Sequence, residues 1–148
     1  MPDKMPNWAK KFGYGEFVHL EQRNCKACMM KGDKVFREVE DNCFDVSLRQ
    51  KEMDETGVTM QVLSTIPVLF NYWAKPKDGL ETSRYLNDHI ANSVIKFPER
   101  FMGIGTVPLQ DVDMAIAEME RCVAALKMPG LEIGSNINGA NLSDEKFF

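Results

Sequence analysis

Three short apolar runs, each leading through a turn into an amphipathic helical stretch, constrain this chain more than any other feature. They are Val58 to Pro67, Phe101 to Pro108 and Gly130 to Gly134. Each also follows a segment with helical spacing, so strand and helix alternate. Parallel neighbours need a long crossover, usually helical, whereas antiparallel ones can be joined by a tight turn. The alternation therefore predicts βα units around a parallel sheet, with chemistry gathered where the strands end.

From Asp45 onward the punctuation is regular. Asp45 is placed to cap a helix over 46–56, and Gly57 suits the residue after it. A second helix is expected from about Leu80 to Phe97, with Leu80, Leu86, Ile90, Val94 and Phe97 at helical spacing and Pro98 as the stop. Asp111 caps a third, on which Val112, Ala115, Ile116, Met119, Val123 and Leu126 form one stripe, read as core. Ser64-Thr65-Ile66-Pro67 and Thr106-Val107-Pro108 end their strands in polar residues and a proline, which cannot donate to a ladder. Three such units fit the opening of a (β/α)₈ barrel. Whole barrels take about 250 residues, and this chain has 148. The final residues, Leu142 to Phe148, read as a cap and the first turn of a further helix.

The first forty residues are less regular. Trp8 to Phe12 suits a turn of helix before Gly13 and Gly15, and Phe17–Leu20 is expected to pair with Lys34–Val39 through Lys31-Gly32-Asp33. In that reading Val35, Arg37 and Val39 share a face, which seats a guanidinium between two apolar neighbours. A net charge of −4 gives no sign of a nucleic-acid surface. No run approaches the roughly 18 apolar residues of a membrane span. Four scattered cysteines do not make a disulfide scaffold, and the N-terminus has no secretory pattern, so a cytosolic protein is expected.

The segments Phe12-Gly13-Tyr14-Gly15, Lys34-Val35-Phe36-Arg37, Asn42-Cys43-Phe44-Asp45, Tyr72-Trp73-Ala74-Lys75-Pro76 and Glu118-Met119-Glu120-Arg121-Cys122-Val123 resemble, in order, the aminocarboxymuconate-semialdehyde decarboxylases of the amidohydrolase superfamily. The resemblance implies an α/β fold: a partial (β/α)₈ TIM barrel of the metal-dependent amidohydrolase type with an N-terminal irregular, hairpin-containing insertion. Residues 1–148 would be one incomplete barrel domain, with the insertion over 1–41 and about three βα units over 42–148. The implied activity is carbon–carbon lysis, the non-oxidative decarboxylation of an open-chain dicarboxylate semialdehyde in tryptophan (kynurenine) catabolism, limiting quinolinate. In that family zinc, held by histidines and an aspartate, activates a water, and arginines grip the substrate carboxylates.

Carried over position by position, Arg37 matches a substrate-binding arginine and Lys31 a lysine near the same pocket. No catalytic or metal-ligating residue carries over. The family's His-x-His pair would precede Pro2, and the later ligands would follow Phe148. His19 and His89 match neither, and the chain as it stands is expected to bind no zinc and to be inactive. Cys25-Lys26-Ala27-Cys28 lacks a second ligand pair and reads as reduced loop cysteines. Phe70, Tyr72 and Trp73 read as aromatics that anchor a loop. The partners implied are the small-molecule substrate and, for the full-length protein, a second subunit, with no nucleic acid or membrane. Two other readings stay open: a related amidohydrolase-type decarboxylase or hydrolase, and a non-catalytic form that associates with full-length subunits.

Overall fold

The computed structural model describes residues 1–23 and 26–147, so Cys25 lies outside the described residues. The chain divides into two compact units, Met1–Met60 and Gln61–Phe148.

The first unit opens with a one-turn helix, α1 (Trp8–Phe12), capped by the Asn7 side chain and closed by Gly13 at φ +76°. An antiparallel meander follows: β1 (Val18–Arg23), β2 (Lys26–Lys31) and β3 (Lys34–Val39), in the order β1-β2-β3. The expected two-strand hairpin is therefore corrected. Phe17–Leu20 does not pair with Lys34–Val39, because β2 lies between them and Gly32, at φ +58°, turns β2 into β3. Ala27, Cys28, Met29 and Met30 are all buried, so β2 is covered on both faces. Cys28 accordingly sits in a buried strand, not in a loop. The unit ends with α2 (Val46–Thr56), bounded as expected: Asp45 accepts from the Ser47 and Leu48 amides, and Gly57 closes the helix at φ +71°. Arg49 forks onto the Asn42 carbonyl at 3.0 and 2.7 Å, fastening the approach to the helix.

In the second unit, β4 (Gln61–Leu63) and β5 (Phe101–Gly103) pair in parallel. They are joined by α3 (Pro76–Lys96), and β5 leads into α4 (Val112–Ala124). α3 begins four residues before the expected Leu80, because Pro76 occupies a first-turn position where a missing N–H costs nothing. The third strand is reduced to a parallel bridge between Gly105 and Leu131. A two-residue hairpin not foreseen in the sequence follows, β6 (Asn136–Ile137) and β7 (Ala140–Asn141), turning through Asn138-Gly139 with both φ positive. Glu145–Phe147 forms a 3₁₀ turn.

The parallel pair buries one face under α3. Leu63, Phe101 and Gly103 point that way, while Val62 and its partner Met102 are 57% and 40% exposed on the other. Gly103 lets the helix approach: a Cβ there would stand 2.6 Å from Ile90 Cγ2. The expected core stripe of α4 is corrected as well. Ala115, Glu118 and Cys122 are buried, whereas Ile116, Met119 and Val123 are 45%, 40% and 53% exposed. The helix turns a carboxylate inward because Arg84 and Asn87 of α3 await it.

Candidate functional site

In the first unit, a shift in pairing sets the direction of the candidate cations. Met29 opposes Arg37 but Met30 opposes Val35, which leaves Phe36 as an extra residue on β3. Cross-strand partners share a face and successive residues alternate. The bulge therefore moves Val35 to the face opposite Arg37, correcting the arrangement in which both valines flanked the guanidinium. Lys31 opposes Lys34 and lies two residues from Met29, so Lys31, Lys34 and Arg37 occupy one face. All three are exposed. Lys31 Nζ stands 3.8 Å from Glu16 Oε2. The two matched positions are thus brought to the same side of one hairpin, a surface suited to carboxylates.

In the second unit, the strand ends are fixed by a buried polar cluster. Asn87 Nδ2 donates to the Thr106 carbonyl at 2.8 Å, and the Thr106 N–H donates to Asn87 Oδ1 at 2.8 Å. The side-chain amide thus exchanges both bonds with one residue, as a strand partner would. Asn87 Nδ2 also lies 2.8 Å from Glu118 Oε1, which steadies the amide. Glu118 is held in turn by Arg84 Nε (3.0 Å) and by Arg121 Nε and Nη2 (each 2.8 Å), and Arg121 Nη1 reaches Asp88 at 2.7 Å.

Burial alone would raise the Glu118 pKa, but hydrogen bonds from Arg121, Asn87 and Arg84, with the Arg121 charge, hold the carboxyl below its ordinary value. The same carboxylate raises the Arg121 pKa. Burial, then the Glu118 charge, pushes the Cys122 thiol up to about 12, which leaves it without nucleophilic thiolate at neutral pH. The hydroxyls of Thr65 and Thr106 are buried without a hydrogen-bond partner among the described residues. The segments just beyond β4 and β5 thus carry unspent polar groups. This cluster escaped the sequence reading, since nothing local marks Glu118 as the inward side of α4.

The loop after β4 is tied to the two neighbouring strand-end segments. Tyr72 packs with Phe70 and Ile137, as an anchoring aromatic should. Its hydroxyl accepts from the Gly134 N–H at 3.1 Å, and its carbonyl accepts from Asn138 Nδ2 at 2.7 Å. Burial, with Glu132 nearby, raises the Tyr72 pKa despite that Gly134 bond. Trp73 departs from the loop-anchoring expectation, being 48% exposed. A cavity of 440 Å³ is lined by residues that include Asp88, Ala91, Val94, Gly103, Leu126 and Met128.

Among the described residues, no group of three His, Cys, Asp or Glu side chains could hold a metal ion. His19 Nε2 lies 3.1 Å from Glu21 Oε1, a pair short of a ligand set. The described residues do not fit the metal that the barrel type implies.

A parallel βαβα run with its polar groups at the strand ends is the arrangement of a barrel enzyme's first units, and the amidohydrolase sequence profile matches residues 8–148. The chain belongs to the amidohydrolase family. It is 48% identical over its whole length to the 2-amino-3-carboxymuconate-6-semialdehyde decarboxylase of Dictyostelium discoideum, and 35% identical to that of Caenorhabditis elegans. It spans 42% of the length of each. Among solved structures it resembles a 5-carboxyvanillate decarboxylase from Novosphingobium aromaticivorans, complexed with manganese and 4-hydroxy-3-methoxy-5-nitrobenzoic acid, with a TM-score of 0.67 and 28% identity. That likeness covers 70% of this chain and 30% of the other. The family member's fold here is a partial barrel, and the three relatives just named are decarboxylases. Among the described residues no helix is long and apolar enough to cross a membrane.

Proposed function

We propose that this chain is part of a non-oxidative decarboxylase of 2-amino-3-carboxymuconate 6-semialdehyde, acting in the kynurenine branch of tryptophan catabolism and limiting quinolinate. The observation that carries the reading is 48% identity along the whole chain to a decarboxylase of that name. Arg37 and Lys31 are its carboxylate-binding residues. Their shared face on the β2–β3 hairpin supports this, because a planar guanidinium with a nearby ammonium suits an acid with two carboxylates. The metal of the whole enzyme is zinc, with ligands outside these residues, although a related structure holds manganese. The full-length protein is a homodimer in the cytosol, where the free thiols of Cys28, Cys43 and Cys122 are at home. The 148-residue chain alone is inactive, in keeping with the lack of a group of three metal-ligating side chains among the described residues.

A chimera tests the reading. This chain replaces the matching 42% of the Dictyostelium decarboxylase, and turnover of the semialdehyde is followed with zinc or manganese. Turnover is expected in the chimera and absent from the isolated chain. Arg37→Met should lower kcat/KM by about 10- to 100-fold, the loss of a charged hydrogen-bonded contact. Turnover of an aromatic acid in place of the semialdehyde would instead favour the carboxyvanillate-type reading, which the structural likeness supports.

A further inference from the structure

Glu132 stands just past the bridge to which the third strand is reduced. Its N–H donates to the Gly105 carbonyl at 2.8 Å, and the Gly105 N–H donates to the Gly130 carbonyl at 3.0 Å, the two bonds flanking Leu131 as in a parallel ladder. Leu131 faces the helices, since a Cβ on its partner Gly105 would stand 3.1 Å from Leu131 Cδ2 and 2.9 Å from Cys122 Sγ of α4. Successive side chains alternate, so Glu132 takes the opposite face, the one that carries Val62 and Met102. Beside it stands Tyr72. A Cβ at Gly134 would lie 2.9 Å from Tyr72 Cε2, and the Tyr72 hydroxyl accepts from the Gly134 N–H at 3.1 Å. The Glu132 charge acts on that hydroxyl. Yet Glu132 Oε2 is buried and has no hydrogen-bond partner among the described residues. Glu118 is the contrast, both of its oxygens being taken by Arg84, Asn87 and Arg121. A buried carboxylate oxygen without a donor costs free energy, and proteins bear costs of this kind mainly at functional sites. The exit of the strands is where barrel enzymes bind their substrates.

We infer that Glu132 is a specificity residue, accepting a hydrogen bond from the amino group of an amino-substituted dicarboxylate. The inference rests on the decarboxylase reading, which supplies both the amino group and the carboxylates. A carboxylate repels an acid that has only anionic groups to offer. Glu132 therefore admits the ligand through its N–H and disfavours the analogue that lacks one.

The probes are 3-aminobenzene-1,2-dicarboxylate and 3-methylbenzene-1,2-dicarboxylate, acids of equal charge and closely similar shape that differ in the N–H donors. By equilibrium dialysis the unaltered chain should bind the amino-substituted acid about 10-fold tighter, the scale of one hydrogen bond to a charged group. In Glu132→Met that preference should vanish, while the methyl-substituted acid binds no more weakly. Glu132→Gln, which keeps the shape and an acceptor oxygen, should lose part of the preference, so the comparison stands even where Glu132→Met disturbs folding. Removing an unsatisfied carboxylate should also raise the urea midpoint of Glu132→Met, whereas a structural role would lower it. Equal affinities in the unaltered chain, no binding of the amino-substituted acid, a preference that survives Glu132→Met, or a lowered midpoint in that variant overturns the proposal. The decarboxylase reading is tested apart from it: turnover of the semialdehyde by the unaltered chimera needs no amino-over-methyl preference in the isolated chain, so either result can fail alone.

Discussion

Glu118 is the residue on which the second unit turns. A carboxylate with no solvent exposure is tolerated only when its charge is matched and its lone pairs are used, and here Arg84, Arg121 and Asn87 do both. Its guanidinium partners are partly exposed and can be solvated, so Glu118→Ala should lower unfolding stability by about 1–3 kcal/mol in urea titrations, the cost of lost charged hydrogen bonds. Glu118→Gln, which keeps the shape, should cost less. Because the folded carboxyl titrates below its ordinary value of 4.5, its contribution is complete above that pH and is lost as pH falls through the lower folded value. Stability measured from pH 6 to 3 should therefore decline in the native chain and stay flatter in Glu118→Gln. Cys122 gives a second check at this scale: with its thiol pushed up to about 12, iodoacetamide at pH 8 should leave it unmodified in peptide mapping of the folded chain and label it in denaturant.

At the scale of elements, helix-to-sheet distance depends on Gly103. An added methyl would stand 2.6 Å from Ile90 Cγ2 and 3.3 Å from Val94 Cγ2, both on α3. Ile90 is itself buried and cannot yield, so Gly103→Ala should destabilise by about 1–3 kcal/mol, read as a lower midpoint of chemical unfolding. The elements also show what a sequence can and cannot disclose. α2 was legible to the residue, because Asp45 and Gly57 act on their own immediate backbone. β2 was not, since Ala27 to Met30 are buried on both faces and leave no alternation to detect. α4 misled for a physical reason: counting apolar residues selects Ile116, Met119 and Val123, while the side that faces inward is chosen by partners 31 and 34 residues away in sequence. Arg37 and Lys31 were named from their context, but the bulge that sets their common face depends on pairing with β2.

The molecule as a whole carries two compact units and a parallel pair with one apolar face uncovered at Val62 and Met102. Such a face, on a parallel pair to which β4 brings no second strand partner among the described residues, favours self-association. Sedimentation should therefore show concentration-dependent growth in mass, and calorimetry a van't Hoff enthalpy below the calorimetric one, because separate units need not melt together. A concentration-independent monomer with a single two-state transition would contradict both.

The bond pair between Asn87 and Thr106 has a consequence for how such barrels can be assembled. Thr106, three residues beyond β5, is set by a side chain from the preceding helix. The path of the chain leaving β5 is thus fixed from within one βαβ segment, so that segment should keep its exit when grafted into another barrel.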